Sequence, residues 1–118
     1  MPTSLPDLAA AAAELVAILT AADIRASVEA ADLNPPCVQL RPPSLTYRFG
    51  KGWEASWEAW LLVPDSGQAQ ALRSLGELLS AVHEALGYRG TTARPDSTLL
   101  PDGSNVPTYV LSFTTRHN

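Results

Sequence analysis

The eleven residues Trp53-Glu54-Ala55-Ser56-Trp57-Glu58-Ala59-Trp60-Leu61-Leu62-Val63 decide the fold. Odd positions carry Trp53, Ala55, Trp57, Ala59, Leu61 and Val63, and even positions carry Glu54, Ser56, Glu58, Trp60 and Leu62. A period of two belongs to a strand, not a helix. The odd face is wholly apolar and alternates large with small side chains, so helices can interlock with it. The even face begins charged and ends apolar. With Trp53 and Trp57 in the core, Trp60 and Leu62 are expected to form an outer apolar patch covered by another subunit or a partner. A bulge would shift the phase and reverse that assignment.

Upstream, two proline pairs bracket a short apolar stretch in Asn34-Pro35-Pro36-Cys37-Val38-Gln39-Leu40-Arg41-Pro42-Pro43. Proline has no amide hydrogen to give a sheet, so each pair is expected to end a strand and begin a fixed excursion. Val38 and Leu40 then form one short strand. Gly50-Lys51-Gly52 reads as a tight hairpin turn between Phe49 and Trp53. Further upstream, Leu8, Leu15, Ile18 and Leu19 predict an alanine-rich helix over about 6–22, and Ile24, Ala26 and Val28 alternate like a half-buried strand.

Downstream, Pro64-Asp65-Ser66-Gly67 breaks the long strand and offers Asp65 or Ser66 as a helix cap. Leu72, Leu75, Leu79, Val82 and Leu86 recur at spacings of three and four before Gly87, which predicts a helix over about 67–86. Thr91 to Arg94 and the alternation of Tyr109, Leu111 and Phe113 predict two more strands. Between them the stretch Pro95 to Pro107 is either a hairpin tip or a mobile loop that orders against a partner. The order of elements predicts a single α+β domain over residues 1–118, with a mostly antiparallel four- to five-stranded sheet and two helices packed on one face.

Of the 118 residues, eight are basic and twelve acidic, for a net charge of -4. The basic residues are scattered, so no stripe for tight nucleic-acid binding exists. The apolar run Leu8 to Leu19 lacks a basic leader and contains Glu14, which argues against a signal peptide or a membrane span. The expected compartment is a cytoplasm. A lone cysteine, Cys37, cannot form an internal disulfide and agrees with reducing conditions.

Chemistry is sparse. Cys37 and His83 are a nominal nucleophile and base, but one lies in an apolar strand and the other on a helix beside core-facing Val82, so packing is the better reading of both. Cys37, His83 and His117 lack metal-ligand spacing. Glu54 and Glu58 share a strand face roughly 13 Å apart, too far for a carboxylate pair. Gly50-Lys51-Gly52 is too short for a phosphate loop. No catalytic residue, cofactor or metal is expected.

Asn34-Pro35-Pro36 and the run Pro42-Pro43-Ser44-Leu45-Thr46-Tyr47-Arg48-Phe49-Gly50-Lys51-Gly52-Trp53 resemble the tail-terminator (tail-completion) proteins of long-tailed bacteriophages. The likeness extends through the Trp53–Pro64 strand, the Pro64-Asp65 helix start and the Pro107-Thr108-Tyr109 strand, most of the chain. It implies a ring-forming virion subunit, typically a homohexamer, assembled in the host cytoplasm and located in the tail or neck. Such a ring sits at the head-proximal end of the tail tube, stops its polymerisation and joins the tail to the head connector or stopper protein. The tail tube protein, the connector and further copies of the chain are the implied partners. DNA passes through the lumen without specific binding, and the acidic balance fits, since a lumen of like charge does not trap a polyanion. No enzyme activity, cofactor or membrane is implied.

Candidate subunit or partner contacts are Leu45, Tyr47, Arg48, Phe49, Lys51, Trp60, Leu62, Leu99 and Leu100. Another neck component, a head-completion or connector-stopper protein, fits similar size and loops. A small α+β ligand-binding module or enzyme is the alternative of another class, because fold does not determine function.

Overall fold

The Asp7 side chain accepts a hydrogen bond from the Ala10 amide at 3.0 Å, satisfying one of the donors that a helix start leaves free. In this computed structural model, which describes residues 6–117, helix α1 follows as Leu8–Ala21. It buries Leu15 and Leu19, and just past its end Asp23, with a φ of 62°, lets the Ile24 amide return to the Leu19 carbonyl at 2.9 Å. The strand expected around Ile24 to Val28 shortens to β1, Ala26–Ser27. Ile24 is buried, but Val28 is exposed, because a single 3-10 turn at Ala30–Asp32 draws the chain off the sheet. β1 pairs in parallel with Val38 and Gln39, making the sheet mixed.

The largest departure from expectation is β2, which runs without a break from Cys37 to Arg48. Pro42-Pro43 does not end it. Arg41 opposes Glu58 and Ser44 opposes Ser56, so β2 takes three steps where its partner takes two. The prolines occupy this bulge, where the ladder requires no amide donor from them. The chain then turns at Gly50 and Gly52, with φ of 77° and 82°, and the Lys51 amide donates to the Arg48 carbonyl at 2.8 Å. It returns as β3, Gly52–Leu62. The excursion expected to begin at Pro42-Pro43 is a paired hairpin, turning at Gly50-Lys51-Gly52 as expected.

Helix α2, Gln68–Ala85, is capped by Gly67 at φ 94° with no side-chain hydrogen bond, so neither Asp65 nor Ser66 serves as the cap. It buries Ala71, Leu75 and Val82 and closes at Gly87. Strands β4, Gly90–Leu99, and β5, Asn105–His117, form a hairpin whose Leu100 amide meets the Ser104 carbonyl at 2.8 Å. Pro95 and Pro107 therefore lie within strands flanking a hairpin tip. The strand order is β1-β2-β3-β5-β4. Pro95 sits on the edge strand β4, where its missing donor costs the sheet nothing.

Both helices cover one face of the sheet, giving the expected α+β architecture. Leu15 and Leu19 of α1 and Val82 of α2, with Leu86 just after it, pack on Leu40, Trp57, Leu61, Leu111 and Phe113. Trp57 and Phe113 oppose each other across β3 and β5 and stack with centroids 6.5 Å apart at 11°. Ala55 and Ala59, fully buried on either side of Trp57, leave room for that ring.

One end of the sheet runs past the edge strand β4. Ser44–Arg48, Gly52–Ser56 and Thr114–His117 continue as a three-stranded arm, because the β4 pairing begins only at Phe113. Opposite it lies the β4–β5 hairpin tip. The molecule measures 54 × 27 × 24 Å.

Candidate subunit-contact surface

Trp60 faces away from the helices, as the period of two requires, but it does not lie bare. The Arg41 guanidinium sits 3.6 Å from the Trp60 ring centroid and that of Arg94 sits 5.8 Å away. Glu58 accepts from the Trp60 indole at 3.2 Å and from Arg94 at 3.2 Å, while Asp96 accepts from Arg94 at 2.9 Å. The Ser97 amide, and then Arg94, hold the Asp96 carboxyl below the usual range. Two guanidinium groups and two carboxylates thus frame one indole on the outer face.

Beneath this frame lies a second small core of Leu62, Cys37 and Val106, roofed by Leu33, Trp60 and Leu100. The expected outer apolar patch is therefore covered from within the chain itself. Leu62 has no exposed surface, and Leu100 is half-buried against the same cluster. The sequence reading missed Arg41 and Arg94 because the contact depends on pairing, with Val110 bringing Arg94 beside Trp60 across three strands.

The other candidates gather at the two ends of the sheet. Leu45 is half-buried against the main core, and Tyr47 packs on Trp53 with centroids 5.2 Å apart. At the arm tip, Phe49 is 94% exposed. Arg48 and Arg116 approach Glu54 at 3.3 and 4.0 Å, and Lys51 is exposed without an ion pair among the described residues. Leu99, 71% exposed, marks the opposite end beside the β4–β5 turn.

The arm is tied to the core through Trp57, whose indole donates to Thr115 Oγ1 at 2.9 Å, and Thr115 in turn contacts His117 Nε2 at 2.8 Å. Where the arm leaves the body, the start of α1 and the proline bulge enclose a mainly apolar groove of about 240 Å3. Leu8, Ala12, Val28, Pro42, Pro43 and Trp57 line it. Nothing in the local sequence marks this groove, since it is made by the bulge.

Cys37 and His83 lie on opposite sides of the sheet. Cys37 belongs to the outer cluster, whereas His83 meets Tyr88 at 5.3 Å, beside Gly90 and Leu111 on the helix side. They cannot act together as nucleophile and base. Burial pushes the Cys37 thiol up, away from the reactive thiolate. Among the described residues, no helix is long and apolar enough to cross a membrane. Compared with known proteins, the chain matches no family model and no curated relative.

Proposed function

We propose that this chain is a structural subunit of the tail-terminator kind, which assembles with further copies into a ring at the head-proximal end of a phage tail tube. There it halts tube polymerisation and joins the tail to the head connector or stopper protein, while DNA passes through the lumen without specific binding. Its place is the neck of the virion, and its work is contact, not catalysis. One observation carries the reading: a three-stranded arm extends past the edge strand β4 and ends in Phe49, 94% exposed. A wholly hydrated phenylalanine on a projecting hairpin contributes nothing to its own core and is suited to reach another molecule. The resemblance of the surrounding Pro42–Trp53 segment supports the same conclusion from sequence.

The test is genetic and visual. Removing the chain from a phage that encodes it should leave heads intact and yield free tails of uncontrolled length under the electron microscope. Normal virions with normal tails would contradict the proposal, and heads that lose their DNA beside tails of normal length would favour a head-completion protein instead.

A further inference from the structure

Phe49 and the groove beside the proline bulge are complementary, and they cannot meet within one chain. Phe49 lies six residues beyond Pro43 on a rigid hairpin, roughly 20 Å at the rise of a strand. Its ring is the size of thing that a mainly apolar groove of about 240 Å3 accepts. Charge matches as well. The tip carries Arg48, Lys51 and Arg116 against a single carboxylate, Glu54. Exposed Asp7 and Glu29 are the chain neighbours of the lining residues Leu8 and Val28, while the Arg41 guanidinium is turned to the other face of the sheet, over Trp60. Leu8 and Val28 are themselves 36% and 46% exposed.

We infer that the arm tip of one copy docks Phe49 into the α1–bulge groove of the next copy, with Arg48 and Lys51 lying against Asp7 and Glu29. This deepens the ring reading and rests on it. The donor and acceptor surfaces are different patches of the same subunit, so each copy gives one contact and receives one. Such a head-to-tail contact closes into a ring when its rotation closes. It also assigns a purpose to the bulge, which both aims the arm and builds the groove wall.

The test compares the purified full-length chain with Phe49→Asp and with Leu8→Asp/Val28→Asp by sedimentation across concentration. All three positions are exposed, and circular dichroism with thermal melts checks that the variants fold. Each variant should associate at least about tenfold more weakly than the native chain, since a central aromatic anchor typically costs that much or more. An equimolar mixture should recover a single junction, because one variant keeps an intact groove and the other an intact tip, and growth should stop at a heterodimer. If Phe49→Asp assembles like the native chain, the docking is wrong while the ring reading stands. If the native chain is monomeric at every concentration, both fall. Groove variants that lose their fold while Phe49→Asp assembles normally would mean that the chain's own residues fill the groove, which also overturns the inference.

Discussion

The Arg41 guanidinium lies 3.6 Å from the centroid of the Trp60 ring, on the face of the sheet that no helix covers. Arg41 Nε is buried and meets no acceptor among the described residues, so the indole is its main partner. The ring, with the cation stacked on it, packs against Leu62 and Cys37 where no helix does.

Arg41→Ala should destabilise the fold by about 0.5–2 kcal/mol in urea denaturation, through lost stacking and lost cover. Arg41→Lys should recover only part of this, because a compact ammonium cannot reproduce a planar guanidinium over a ring. Equal stability of the lysine variant and the native chain would show that charge alone matters there.

Trp60→Glu acts on the fold of the chain itself as well as on any outer contact. It uncovers Leu62 and sets a carboxylate beside Glu58, which should cost about 1–3 kcal/mol before assembly is considered. A variant as stable as the native chain in thermal melts would mean that Trp60 contributes only to contacts between molecules.

Trp57 is the centre of the main core, 2% exposed and stacked on Phe113. Trp57→Ala should cost about 3–5 kcal/mol. Thr115→Val, which removes only the hydroxyl that the indole reaches, should cost about 1 kcal/mol. Loss of order confined to the arm in the Thr115 variant, read by hydrogen exchange, would identify this bond as the tie between arm and body.

Burial raises the Cys37 thiol pKa above its ordinary value of 9.0. The folded chain therefore holds that proton to higher pH than the unfolded chain does, and this stability is present below pH 9.0 and is lost as pH rises through the folded value. Asp96 and Asp102 act at the other limit: both are held low by nearby amide and side-chain donors, so their contribution is present above the ordinary carboxylate value of 3.8 and is lost on acidification. Denaturation midpoints from pH 8 to 11 should fall in the native chain and stay flatter in Cys37→Ala. Identical slopes would contradict the assignment.

The parts of this fold with a strong period were legible in the sequence. α2 followed from its leucine spacing, β3 from its alternation, and the helix-bearing face from Trp57, Ala59 and Leu61. The arm was not. Pro42-Pro43 reads as a strand end by local rules, and only the pairing of Arg41 with Glu58 and Ser44 with Ser56 reveals that a bulge absorbs it. The cover over Trp60 was hidden for a similar reason, because Arg94 lies far along the chain and arrives through two strand pairings. Of the candidate contacts, Phe49 and Leu99 are on the surface as their surroundings suggest, whereas Leu62 is enclosed by residues that sequence alone does not bring near it.

Self-assembly into a closed ring is read from the mass of the purified full-length chain across concentration, paired with electron microscopy of the same samples. The mass should pass from the 12.6 kDa chain to one discrete closed species, about 76 kDa for six copies, seen as rings of uniform diameter. A 12.6 kDa monomer at every concentration, or open filaments without a limiting size, would contradict it.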